Sequence, residues 1–268
     1  MSILEAIVLG LVQGLSEFIP ISSSGHLVIV PALFGWDQPG LAFDVLLHAA
    51  SLVALLVYFS GDLLELVRGT IRGARDSRRL LMLLVIGTIP AGLAGLLLGD
   101  FFEEQFEDAK GAALQLLITA VILVGAELLT ERNRRRSTMT GERMKTQEQL
   151  TPAGAGAIGL AQALAIIPGI SRSGSTIGAG LWLGMDRESA ARFAFLLAIP
   201  ALAGAALVQL PELGSSTIGL GAGVAGFIAS LVSSYVAVAG LIRYLKSRTL
   251  YPFAVYVTIA AVVFWILL

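Results

Sequence analysis

Apolar residues in this chain fall into blocks long enough to cross a bilayer, parted by short charged stretches. A helix needs roughly 20 apolar residues for one crossing. The segments 42–60, 80–99, 112–130, 218–242 and 250–268 meet that length, and 193–210 is slightly shorter. The pattern therefore predicts six transmembrane helices. None of the blocks alternates apolar with polar residues as a membrane β-barrel strand would. Two further apolar segments, 3–34 and 151–185, are interrupted near their middles by proline, glycine and serine.

The charges between the blocks are sorted by sign. Arg68, Arg72, Arg75, Arg78 and Arg79 form one basic cluster. Arg132, Arg134, Arg135, Arg136, Arg143 and Lys145 form a second, and Arg243, Lys246 and Arg248 a third. Asp100, Glu103, Glu104, Glu107, Asp108 and Glu212 occupy the other connections. Basic loops stay in the cytoplasm, which sets the direction of all six spans. The segment 151–185 then begins and ends on the cytoplasmic side, since Arg187 and Arg192 follow it, and reads as a re-entrant helical hairpin. The segment 3–34 precedes a span that starts outside, so it reads as a hairpin entering from the outer face. Both chain termini are expected outside. Residues 131–149 are expected to form a solvated loop, with Arg187 and Arg192 anchoring a span at the inner interface.

Composition narrows the class. Apolar residues make up 56% and charged residues 14%, against about 25% charged in soluble domains. A soluble fold and a disordered chain are excluded, and the net charge of -1 gives no reason to expect nucleic acid. The absence of cysteine removes disulfides, cysteine–zinc sites and thiol nucleophiles. The first segment carries Glu5, Gln13 and Glu17 without a basic lead, unlike a cleavable signal peptide.

The interrupted segments resemble each other. GLVQGL at 10–15 recurs as GLAQAL at 159–164, ISSSG at 21–25 as ISRSG at 170–174, and GWD at 35–37 as GMD at 184–186, each 149 residues on. Each half is one hairpin followed by three spans, and by the charge rule the halves run in opposite directions. The expected fold is all-α and polytopic, an inverted-topology repeat of halves 1–130 and 151–268 joined by the linker 131–150 within one membrane domain. Such folds place their site at the junction of the broken helices.

Candidate chemistry gathers at those breaks. Gln13 and Glu17 lie four apart on one helix face, and a carboxylate in so apolar a stretch needs a partner. Glu17 reads as an acid, a base or a hard-cation ligand; Gln13 reads as a second cation ligand or a neutral hydrogen-bonding group. Ser22, Ser23, Ser24 and Gly25 can build an anion nest at a helix start, with His26 beside them. Arg172 is the only basic residue between Lys145 and Arg187. With Ser171, Ser173, Gly174, Ser175 and Thr176 around it, Arg172 reads as a phosphate clamp or as a cation paired with Glu17 or with helix C-terminal carbonyls. Asp37 and Asp186 read as helix caps, and His48 with Asp44 as satisfied interior residues.

The run QGLSEFIPISSSGH at 13–26 resembles the first motif of the bacitracin-resistance type of undecaprenyl-diphosphate phosphatase, and PGISRSGST at 168–176 resembles the second. FAFLLAIP at 193–200 extends the likeness along the chain. The resemblance implies an inner-membrane phosphatase that removes the terminal phosphate of undecaprenyl diphosphate, returns the monophosphate carrier to cell-wall synthesis and confers bacitracin resistance. It also implies a divalent cation, Mg²⁺ or Ca²⁺, held by Glu17 with Gln13. The catalytic roles fall on Glu17, Ser23, His26 and Arg172, with Gln13, Ser22, Ser24, Gly25, Ser171, Ser173, Gly174 and Thr176 around the substrate. Some members have glutamate where this chain has Gln13, which leaves one carboxylate for the ion. Two mechanisms stay open: Ser23 attacks with His26 as base and later acid, or water attacks with Ser23 as a donor. The headgroup is expected to enter from the outer face, and the glycine-rich span 218–242 to leave a groove for the lipid tail. The rival reading is an inverted-repeat transporter or flippase for an anionic lipid or solute. Oligomeric state, a homodimer included, stays open.

Overall fold

A computed structural model describes residues 1–98, 101, 108–141, 143–209 and 218–268. Of the expected acidic connections, Asp100, Glu103, Glu104, Glu107 and Glu212 lie outside the described residues, so only Asp108 is seen. The described residues form eleven α-helices and no strand, with one isolated bridge between Lys145 and Met185. The first half contains α1 (Ile3–Phe18), α2 (Ser23–Phe34), α3 (Leu41–Tyr58), α4 (Ser60–Ile71), α5 (Arg75–Leu97) and α6 (Ala109–Thr140). The second contains α7 (Pro152–Leu164), α8 (Arg172–Trp182), α9 (Arg187–Val208), α10 (Leu220–Leu245) and α11 (Tyr251–Leu267).

Five of these, α3, α5, α6, α9 and α10, are long and apolar enough to cross a membrane, whereas α11, expected as a sixth span, has 17 residues. Two stretches differ from expectation. The basic stretch after α3 holds an extra helix, α4. The supposed loop at 131–149 is helical as far as Thr140, where Arg132, Arg134, Arg135, Arg136 and Met139 favour helix. That helix stops at Gly141, whose φ of 73° caps it in the left-handed conformation.

The two interrupted segments are helix–break–helix pairs that return to the end where they start. Ile3, at the start of α1, lies against Gly221, while Leu33, near the end of α2, clusters with Ala109 and Leu268. These contacts place both termini at one end. At the opposite end, Arg79 bonds the carbonyls of Glu148 and Leu150, Lys145 pairs with the backbone beside Met185, and Lys246 pairs with Glu188 at 3.2 Å. The basic clusters thus share an end. The same end is pinned by Glu127, a fully buried carboxylate on α6. It accepts hydrogen bonds from Arg187 Nε at 2.9 Å, from Arg187 Nη2 and from the Leu250 N–H at 2.8 Å. Arg187 and Arg192, expected as interfacial anchors, lie at this basic end and are ion-paired there, Arg187 to the buried Glu127 and the part-exposed Arg192 to the part-exposed Asp62, with the Arg192 guanidinium over the Phe59 ring.

The packing pairs elements across the two halves. α1 lies along α10, and its repeat equivalent α7 lies along α5. A Cβ on Gly10 would meet the Gly226 carbonyl oxygen at 2.4 Å, and one on Gly159, its repeat mate, the Gly87 oxygen at 2.3 Å. Glycine at both positions lets the backbones touch, the usual device where apolar burial cannot drive helices together in lipid. Gly221, Gly223 and Gly226 of α10 therefore pack against α1 and α3, with Gly226 on Phe43, and leave no open groove for a lipid tail along that half of the helix; only Gly240 is open. Asp186 caps α9 as expected, accepting from the Ser189 N–H at 2.8 Å. Asp37 does not cap α3, because α3 starts after Gly40.

Gly159→Val forces a side chain into the Gly87 backbone and is expected to cost roughly 1–3 kcal/mol, the usual range for overpacking. Gly92→Ala, where nothing lies within 4 Å, is the control. Thermal unfolding in detergent checks the pair, and equal midpoints would refute the interlock.

Candidate active site

The two helix breaks meet. A Cβ on Gly25 would lie 3.1 Å from Gly169 Cα, so the first break can approach the second only through glycine. Each break is built differently. In the first, α1 ends as Ile19 turns to an extended conformation, and Ser22 adopts a φ of 71°, the only positive φ at a described non-glycine residue. Its hydroxyl accepts from the Gly25 N–H and its carbonyl holds the His26 ring. In the second, Gly169 has a φ of 85°. Thr119 of α6 ties this break together: its hydroxyl donates to the Gly169 carbonyl at 2.8 Å and accepts from the Ser171 N–H at 2.8 Å.

Both following helices begin at the site, α2 with Ser23 and α8 with Arg172. Helix N-termini carry partial positive charge and unpaired N–H groups. Two of them converging on one place suit an anion. The Gly25 and Gly174 N–H groups are already used by the capping hydroxyls of Ser22 and Ser171, so these glycines allow close approach while other N–H groups of the first turns supply donors. Ser173 sits between the Ser171 hydroxyl at 3.2 Å and the Ile19 carbonyl at 3.4 Å. Ser24 lies 3.4 Å from Ser22 Oγ, and Thr176 bonds back to the Arg172 carbonyl.

Glu17 lies at the centre and is 5% exposed. Its Oε1 accepts from Arg172 Nη2; its Oε2 accepts from Ser23 Oγ and, at 3.1 Å, from Gln13 Nε2. His48 Nε2 on α3 stands 3.7 Å from the same Oε2, with its Nδ1 against the Asp44 carbonyl. The structure thus gathers Gln13, Glu17, Ser23, Arg172 and His48, a histidine the sequence reading had left outside the site. Four helices and both halves contribute.

The expected pairing of Ser23 with His26 is not the one observed. His26 Nδ1 meets the Ser22 carbonyl at 2.7 Å and Nε2 meets the Tyr256 hydroxyl at 2.9 Å. Both ring nitrogens are engaged, and the serine hydroxyl donates to Glu17. Sequence reading also missed Thr119, Tyr256 and Glu127. Glu127 alone carried a visible signal, a carboxylate inside an apolar span; the other two are ordinary residues until the fold brings them to the breaks.

For a divalent cation the relevant donors are few. No group of three or more His, Asp or Glu side chains that could hold a metal converges among the described residues. Glu17 supplies one carboxylate, and Gln13 Oε1 is buried with no hydrogen-bond partner. One carboxylate and one unsatisfied amide oxygen fit a hard cation that takes its remaining ligands from substrate phosphates and water, as Mg²⁺ usually does.

Comparisons with known proteins agree over nearly the whole chain. The family model described as bacitracin resistance protein BacA matches residues 6–263. Among curated relatives, an undecaprenyl-diphosphatase from Methanosphaera stadtmanae is 41% identical, covering 98% of this chain and 97% of its own. One from Geobacter sulfurreducens is 42% identical over 96% and 94%, and one from Gloeobacter violaceus 43% identical over 95% and 88%.

Thr119→Val keeps the shape but leaves the Gly169 carbonyl and the Ser171 N–H without partners. An unsatisfied buried group costs about 1–3 kcal/mol, so a stability loss of roughly 2 kcal/mol is expected, with Thr119→Ser close to the parent. Denaturation in detergent measures it, and a valine variant as stable as the parent would show that Thr119 does not hold the break.

Proposed function

The chain belongs to the bacitracin resistance protein BacA family, and we propose that its two helix breaks form the active site of an undecaprenyl-diphosphatase. As in the named relatives, the reaction converts undecaprenyl diphosphate to undecaprenyl phosphate and inorganic phosphate. It returns the carrier lipid to peptidoglycan synthesis, and the family's link to bacitracin resistance follows from the same recycling. The observation that carries the reading is the cluster of Arg172, Glu17 and Ser23 at two convergent helix N-termini. It joins an anion clamp, a proton acceptor and a nucleophile in one buried place.

The chemistry follows from the contacts. Arg172 engages one oxygen of Glu17 through Nη2; when the diphosphate arrives, the guanidinium turns its charge to the phosphoryl oxygens, aided by both helix starts. Glu17, relieved of that partner, accepts the Ser23 proton along the hydrogen bond already present. Ser23 Oγ bonds to the terminal phosphorus as the bond to the bridging oxygen breaks, and undecaprenyl phosphate leaves. Water then releases phosphate from the serine: Glu17 returns its proton to Ser23 Oγ, and His26, one helical turn beyond Ser23, takes the water proton at Nε2 as the Tyr256 hydroxyl bonded there rotates from donor to acceptor. Direct attack by water, with Ser23 only donating, uses the same residues. A divalent cation held by Glu17 and Gln13 would neutralise charge gathering on the transferring group.

Release of phosphate from undecaprenyl diphosphate by the purified protein tests the reading and separates it from a transporter, which leaves the anhydride intact. Arg172→Ala is expected to lower the rate by roughly 10²–10³-fold, the range for losing a donor to a developing oxyanion. Chelation is expected to remove most of the activity. Trapping of a phosphoserine at Ser23 selects the covalent route, whereas full activity in Ser23→Ala eliminates it.

The basic end is assigned to the cytoplasm by the positive-inside rule. Both termini then face outward, and the headgroup is reached from the outer face. The absence of native cysteine makes this simple to check. Asp37→Cys should react with an impermeant maleimide on intact cells, and Arg143→Cys only after permeabilisation. The reverse pattern would invert the assignment.

A further inference from the structure

Both ring nitrogens of His26 are held, and the hold includes a residue from the last helix, α11. The Ser22 carbonyl, 2.7 Å from Nδ1, can only accept, so Nδ1 carries the hydrogen. In the neutral ring Nε2 is then the accepting nitrogen, and the Tyr256 hydroxyl donates to it across 2.9 Å. The Tyr256 ring stacks beside the imidazole, with centroids 5.8 Å apart and planes 13° from parallel, and Phe264 meets it edge-on at 5.9 Å. Both aromatic residues belong to α11, two turns apart on one face. His26 is 5% exposed and Tyr256 43% exposed, so the phenol stands between the basic nitrogen and the protein surface.

We propose that Tyr256 is a positioning residue for His26: its hydroxyl, opposed by the Ser22 carbonyl and braced by Phe264, holds the imidazole in one tautomer and one orientation. The inference rests on the phosphatase reading for its consequence in turnover, but its structural half does not. A hydroxyl is suited to this place because it donates to the neutral ring and, after rotating, accepts from the protonated one. His26 can therefore gain and lose a proton without being left unsatisfied in a buried setting. Phenylalanine would keep the stacking and lose this adjustment.

The test uses the full-length protein in detergent. Histidine-selective ¹⁵N labelling gives two imidazoles, since the chain holds two histidines, and His48→Gln assigns them. In Tyr256→Phe the His26 Nε2 resonance is expected to move toward that of an unbonded nitrogen while Nδ1 stays protonated. kcat for phosphate release is expected to fall roughly 10-fold, a fraction of the range for acid–base catalysis, with KM within about twofold. The double variant His26→Ala/Tyr256→Phe should be no slower than His26→Ala alone. An unmoved His26 resonance, a kcat equal to the parent's, or a further loss in the double variant would overturn the proposal. If the parent protein itself releases no phosphate, the phosphatase reading fails while the resonance still decides the Tyr256 contact.

Discussion

The ion pair between Glu17 and Arg172 is the constraint on which this architecture turns. Each charge lies in a stretch that would otherwise be apolar, and neither can be tolerated there alone: removing one member of such a buried pair typically costs 3–5 kcal/mol. Glu17 sits near the end of α1 and Arg172 at the start of α8, 155 positions later. The pair therefore exists only if two separately inserted helix breaks arrive at the same depth. Much of the fold serves that meeting. Gly25 lets the breaks touch, Gly169 lets the second press against α6, Gly10 and Gly159 let each first helix press against the opposite half, and Thr119 fixes the second break from a third direction.

The same arrangement supplies the site's function. A pair that is fully satisfied would be inert, but Arg172 commits only one guanidinium nitrogen to Glu17 among the described contacts. The rest of the fork remains available for planar recognition of phosphate. A doubly phosphorylated headgroup can thus enter as a competitor for Arg172. On the proposed phosphatase reading, its arrival would shift the carboxylate from neutralising a cation to receiving the serine proton, and substrate binding and activation of the nucleophile would be one event.

How much of this could be read from the chain depends on the range of the interaction. The spans were legible because their apolar content is local, and the breaks because Pro20, Ser22, Pro168 and Gly169 act on their own neighbours. The likeness of the two breaks was legible through matches 149 residues apart, which include polar positions such as Gln13 and Gln162. The failures are of two kinds. The helical stretch at 131–140 and the helix α4 were hidden because charge was taken as a sign of loop, although arginine and glutamate favour helix. The partners of Ser23 and His26 were hidden because sequence proximity favoured joining them to each other, whereas the fold offers Ser23 a carboxylate from the preceding helix and His26 a phenol from α11. Contacts across such separations leave no local signature.

On the proposed reading, the repeat also accounts for one site in the scaffold and not two. Adding 149 to the proposed catalytic positions gives Arg172 for Ser23, Ile166 for Glu17 and Ser175 for His26. The halves fill their breaks with different chemistry: a serine hydroxyl, carboxylate and imidazole in the first, guanidinium in the second. Two identical breaks could not work, since facing carboxylates would repel and facing arginines would lack a nucleophile. The second half still carries traces of the first. Gln162, the counterpart of Gln13, has both amide atoms buried without a partner, and so is the hydroxyl of Ser175. In the first half the same amide reaches Glu17; with isoleucine at 166 there is no carboxylate for it to reach. Symmetry thus fixes where the breaks meet, and its violation at three positions decides what they do there.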